Sequence, residues 1–110
     1  MNHQISESDW KLFRIRLPGW QEAYMDQLNN EYIAILSGPE KASDKFWTLE
    51  KRIRQDKRDT GVVAEVTRSM METNIMNLLG EGAITLDDLD GFSDDLREKM
   101  AFLMRRRDND

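Results

Sequence analysis

The sequence predicts an all-α fold, as a single compact domain of five or six helices. Three observations predict it. Apolar residues recur at three- and four-residue steps through most of the 110 residues. No segment alternates with period two over a useful length. Ser37-Gly38-Pro39, Asp59-Thr60-Gly61 and Gly80-Glu81-Gly82 punctuate the chain at helical spacing.

Ser6 or Ser8 caps a first helix, with Glu7 and Asp9 in its first turn. The seam Trp10, Phe13, Leu17, Trp20, Tyr24, Leu28, Tyr32, Ile35 follows, every step three or four residues. Pro18 interrupts it at a cost of about 3 kcal/mol inside a helix. The expectation is therefore a short helix near 7–16 and a longer one from 18, with one kinked helix as the alternative. Ser43 caps the next helix, 44–58, whose buried stripe is Phe46, Leu49 and Ile53. A fourth helix spans 62–79 and carries Val62, Val63, Val66, Met70, Met71, Ile75, Met76, Leu78 and Leu79. Being apolar nearly all round, it is expected at the centre of the fold or at a subunit interface.

Thr85 caps a single turn bearing Leu86 and Leu89, closed by Gly91. Ser93 caps the last helix, 94–106, with Leu96, Met100 and Leu103 inward and Arg105, Arg106 and Arg107 at its C-terminal end. The domain is read as residues 1–110, with 1–5 a flexible tail and 108–110 a frayed end.

Composition narrows the function. The net charge is −5, unevenly spread: −3 over residues 1–40, +3 over 41–60 and −5 over 61–110. An acidic whole argues against generic coating of nucleic acid and leaves room for one basic surface. There is no Cys, so disulfides and thiolate metal sites are excluded. The longest apolar runs, Tyr32–Leu36 and Met100–Met104, have five residues, where a bilayer span needs about 20. With neither a span nor the features of a signal peptide, a soluble cytoplasmic protein without membrane association is expected.

Candidate chemistry is sparse. Asp87, Asp88, Asp90, Asp94 and Asp95 would supply hard oxygens for Ca²⁺ or Mg²⁺. Placing Gly91 on the EF-hand glycine puts Leu86 and Arg97 at its first and last ligand positions, where both fail. The simpler reading is acidic residues at helix N-termini. His3 is the only histidine, and there is no glycine-rich phosphate loop. Accordingly no catalytic residue, cofactor or metal ligand is assigned. A polar set on the fourth helix, Glu65, Arg68, Glu72, Asn74 and Asn77, reads as a register device or a solvated edge rather than a ligand site.

Two surfaces remain. Trp47, Lys51, Arg54 and Arg58 fall at i, i+4, i+7 and i+11, a cationic face with an aromatic ring. Such a face would stack on a base or receive an acidic partner. The simpler reading tucks Trp47 against a neighbouring helix. Met70, Met71, Ile75 and Leu78 are the candidate self-association set.

Several stretches carry a resemblance: Asp9-Trp10-Lys11-Leu12-Phe13, Trp20-Gln21-Glu22-Ala23-Tyr24-Met25, Leu28-Asn29-Asn30-Glu31-Tyr32-Ile33, Asp44-Lys45-Phe46-Trp47 with Leu49-Glu50-Lys51-Arg52-Ile53, and Ile84-Thr85-Leu86-Asp87-Asp88-Leu89 leading to Phe92-Ser93-Asp94-Asp95-Leu96. In these the chain resembles a family of small uncharacterised proteins of Gram-positive bacteria that often carry the automatic name "multidrug transporter". The resemblance implies no site residues. A chain without a span cannot by itself form a translocation path, so hydropathy points away from transport.

The expected function is a non-enzymatic protein-binding or regulatory module with an unknown partner, a homodimer being one form of it. The alternatives are nucleic-acid binding through the Trp47 stripe, which the net charge disfavours, and a small-ligand pocket inside the bundle.

Overall fold

Helix α1 runs unbroken from Glu7 to Leu36, straight through Pro18. The computed structural model describes residues 5–109 and holds three further α-helices among them: α2 (Ala42–Asp56), α3 (Met71–Glu81) and α4 (Asp94–Asp108). One-turn 3-10 helices at Arg68–Met70 and Leu86–Leu89 complete the order. The architecture is all-helical, with four helices rather than five or six.

The missing break at Pro18 has a physical explanation. Ser6 caps α1 through its hydroxyl, which accepts from the Asp9 amide at 3.0 Å. The proline then costs about 3 kcal/mol. Phe13 and Leu17 before it and Tyr24 and Leu28 after it are all buried. Each such side chain contributes about 1.5–3 kcal/mol, so the continuous seam outweighs the proline. Pro18 and Gly19 are exposed, so water can reach the backbone carbonyl that loses its partner.

The core gathers around the first half of α1. Phe13 and Leu17 meet Met71, Ile75, Leu78 and Leu79 of α3, Ile84, Leu89 and Phe92 of the connection, and Leu96 and Met100 of α4. Trp20 lies against Phe92 with centroids 6.2 Å apart. Ile5, expected in a tail, packs half-buried on this cluster, whereas residues 1–4 and 110 lie outside the described residues. At the other end α4 continues through Asp108, past the expected stop at 106.

The expected helix at 62–79 is half right. Its second half is α3, closed by Gly82 in the left-handed region at φ 77°. Residues 62–67 are not helical. They read Val-Val-Ala-Glu-Val-Thr, and four β-branched side chains in six residues lower helix propensity. Buried Asn74 holds this segment instead, donating to the Glu65 carbonyl at 2.9 Å. Val63 and Val66 are exposed, so the nearly all-round apolar helix does not exist as one element.

Carboxylates make the long-range ties. Buried Asp9 accepts from the Ser93 amide at 2.8 Å and the Ser93 hydroxyl at 2.6 Å, joining the start of α1 to the cap of α4. Glu81 accepts from the amides of Thr60 and Gly61 at 2.8 and 3.0 Å. Arg16 donates to the carbonyls of Asp88 and Asp90. Two further members of the polar set also make structural ties: Arg68 pairs with Glu7 and Glu72 with Lys99, whereas Asn77 is exposed.

The molecule is elongated, not compact. It measures 57 × 31 × 21 Å, with a radius of gyration of 16.7 Å. A compact 100-residue domain has about 13 Å. The excess is an arm, the second half of α1 paired with α2.

Two substitutions test this account by urea unfolding. Pro18→Ala should stabilise by about 1–3 kcal/mol, because the helix already passes through that position. A loss of stability would show that the proline shapes the packing. Gly61→Ala should cost about 1–3 kcal/mol or more, because an added Cβ would collide with the Tyr24 ring.

Candidate interaction surface

The arm begins at the 59–61 turn. Tyr24 donates from its hydroxyl to Asp59 at 2.6 Å, and Gln21 donates to the Thr60 carbonyl at 3.1 Å. Farther out Tyr32 donates to Asp56 at 2.5 Å, and Arg52 pairs with Glu31 at 2.7 Å. These contacts set α2 antiparallel to α1 and fix which residues stand at the same height. Among the described residues, every side-chain hydrogen bond and ion pair that leaves α2 ends on α1.

Electrostatics in the arm are local. Burial first, and then the bond to Asp56, push the Tyr32 phenol up to about 12. Burial and Asp59 raise the Tyr24 phenol in the same way. Glu31 holds the Arg52 guanidinium still more firmly protonated.

The outer part of the arm is uncovered. No residue of α2 is buried. Phe46 is 61% exposed, Trp47 63% and Ile53 38%, while Ile33 and Leu36 at the end of α1 are 60% and 48% exposed. The expected buried stripe of Phe46, Leu49 and Ile53 is thus corrected. Leu49 is half-buried, and the other two face solvent. The spacing is helical as expected, but among the described residues the arm has no third element to cover that face. The expected cap also moves: α2 starts at Ala42, so Ser43 lies inside its first turn.

Two apolar hollows share this face. One, of about 390 Å³, is lined by Phe46, Leu49, Glu50, Ile53, Arg54 and Lys57. The other, about 290 Å³, lies between the helices and involves Met25, Leu28, Tyr32, Ile53 and Val62. Ile53 and Lys57 belong to both, so the hollows adjoin, and together they make up the groove of the arm.

Trp47, Lys51, Arg54 and Arg58 are all exposed, and Trp47 is not tucked against a helix. Its ring meets that of the neighbouring Phe46 edge to face, with centroids 4.9 Å apart. Arg58 lies past the end of α2 at Asp56, so the four do not share one helical face to its end. Arg54 is engaged by Glu50 at 2.7 Å. The self-association set fares differently. Met71, Ile75 and Leu78 are core residues with at most 1% exposure, and only Met70 is partly accessible. They are spent on the protomer's own packing, so the set is not a surface of the folded chain.

Ile33 and Leu36 were missed as surface residues. A signal existed, because the run Tyr32–Leu36 is apolar on every side of the helix and one partner helix cannot cover it. The acidic cluster disperses into local roles. Asp88 accepts from the Thr85 amide at 2.7 Å, and Asp94 pairs with Arg97 at 2.8 Å. Among the described residues no three His, Cys, Asp or Glu side chains are grouped to hold a metal ion. No helix there is long and apolar enough to cross a membrane. No protein-family model, curated protein or solved structure matches the chain.

Both tyrosines of the chain donate to carboxylates, which makes a pH prediction. Their ordinary value is about 10. The folded arm prefers the protonated phenol, so this contribution is complete below pH 10 and is lost as pH rises through about 12. Phenolate absorbance of the native protein should therefore lag free tyrosine throughout. A curve centred near the ordinary value would contradict the bonds to Asp56 and Asp59.

Proposed function

We propose that this protein is a non-enzymatic protein-binding module of the cytosol, and that the uncovered face of the α1–α2 arm is its docking surface. One observation carries the reading: a 15-residue helix with no buried residue presents Phe46, Trp47 and Ile53 to solvent. Exposed apolar patches beyond a few hundred Å² mark interaction sites on folded proteins. The groove beside them has room for side chains of a partner, and Glu50, Arg54 and Lys57 form a polar edge around it, as at an interface rim. The non-enzymatic part rests on the residue inventory, with one histidine, no cysteine and no phosphate-binding loop.

A second reading gives the same face to single-stranded nucleic acid, since Trp47 is free to stack and stands beside cations. It is the weaker one, because Glu50 already engages Arg54 and the net charge is −5. Site-specific photo-crosslinking in cells separates the two. A photoreactive residue at Phe46 should give discrete protein adducts, and one at exposed Glu98 on α4 should give none. Adducts to nucleic acid, with a steep salt dependence in vitro, would transfer the face to the second reading. No adduct of either kind would end both.

A further inference from the structure

We infer that the occupant of the arm's uncovered face is a second copy of this chain, two arms packing face to face into an antiparallel four-helix bundle. This rests on the docking reading above and names its partner.

The face is one layer of such a bundle. On α1, Met25 and Asn29 line the groove, and Ile33 and Leu36 continue that stripe at four- and three-residue steps. On α2, Phe46, Leu49 and Ile53 supply the matching stripe at i, i+3 and i+7. Two antiparallel helices with apolar stripes on the same side are half of a four-helix bundle. Ile33, Leu36 and Phe46, each 48–61% exposed, would be covered in such a pair, toward the about 800 Å² that each partner contributes to a standard interface.

Charge selects a second copy over an unrelated helix pair. From Leu17 to Leu36, α1 carries Glu22, Asp26 and Glu31 and no Lys or Arg. Residues 42–58 carry six basic and three acidic side chains. Each arm is therefore acidic along one helix and basic along the other. A two-fold axis parallel to the helices lays α1 of each copy on α2 of the other, so acid meets base at both symmetric contacts. The patch is complementary to itself, as an isologous interface requires.

This axis also preserves height along the arm, which names a contact. Asp26 lies between Tyr24 and Tyr32, and Lys57 lies between their partners Asp59 and Asp56. The two residues stand at matching levels, both exposed. In the pair of arms Asp26 of each copy faces Lys57 of the other, and Leu36 comes over Phe46 and Leu49.

Sedimentation equilibrium of the full chain tests this. The expected mass is twice the 12.9 kDa of one chain at sub-millimolar concentration. Ile33→Glu and Phe46→Asp, both at exposed positions, should leave monomers with unchanged helical circular dichroism. Asp26→Lys or Lys57→Asp alone sets like charges together at both contacts and should weaken the dimer by about tenfold or more. Mixing the two variants sets opposite charges together at both contacts and should restore dimers containing one of each. A wild-type monomer, a dimer indifferent to Ile33→Glu and Phe46→Asp, or a mixture that fails to pair would each overturn the inference. So would a monomer whose Trp47 fluorescence shifts on vesicles of phosphatidylcholine and phosphatidylglycerol, which would give the face to an anionic bilayer. A monomer that still forms protein adducts from Phe46 in cells overturns the second copy and leaves the docking reading standing. A monomer that forms none removes both.

Discussion

The structure depends on the continuity of α1. One helix of 30 residues serves two sets of partners, the core along its first half and α2 along its second. Pro18 and Gly19 fall between these sets, on the solvent side. A break there would leave the arm tied to the core through the 59–65 connection alone. The helix survives because the same apolar seam is buried on both sides of the proline, and its combined burial exceeds the loss of one backbone hydrogen bond.

The second joint is made by carboxylates on backbone amides. Glu81 at the end of α3 receives the amides of Thr60 and Gly61, and the Tyr24 ring packs so closely on Gly61 that any side chain there would collide. Asp9 performs the same service between α1 and the cap of α4. Charge-assisted bonds of this kind are shorter and stronger than neutral ones. In an acidic chain without disulfides, these few buried or half-buried acids hold loops that apolar packing alone would leave loosely placed. Much of the remaining negative charge stays on the surface.

The arm follows a different rule from the core. Its inner seam is closed by Tyr24, Leu28 and Tyr32, and its polar contacts fix antiparallel pairing and height. Its outer stripe has no counterpart within the protomer. A helix with a well-formed apolar face and no buried residue is held by one tyrosine–carboxylate hydrogen bond, one exposed ion pair and partial burial. Exposed ion pairs contribute at most about 1 kcal/mol each. A second layer of helices would cover the stripe, and the opposite charge of the two helices makes an identical arm a fitting one.

Much of this was legible from the residues alone. Periodicity determined that the fold is helical, where α1 starts and α4 begins, and that Phe46, Leu49 and Ile53 share a face. It also placed Trp47, Lys51 and Arg54 together on α2. These are local properties, set by spacing and capping. Periodicity could not say whether a shared face points inward, because an apolar stripe looks the same whether its partner lies in the same chain or outside it. That is why Phe46 and Ile53 were expected in the core, and why Met71, Ile75 and Leu78 could be read either as the centre of the fold or as a self-association face until the core claimed them. The shortening of the 62–79 helix was likewise decided by tertiary contact, where Asn74 secures a β-branched segment that periodicity alone would wind into a helix. Spacing along the chain is enough to group the residues that belong together on each helix. Only the packing of the helices decided which of those faces the protomer buries and which one it leaves open, since burial depends on the number and placement of neighbours rather than on any residue's own character.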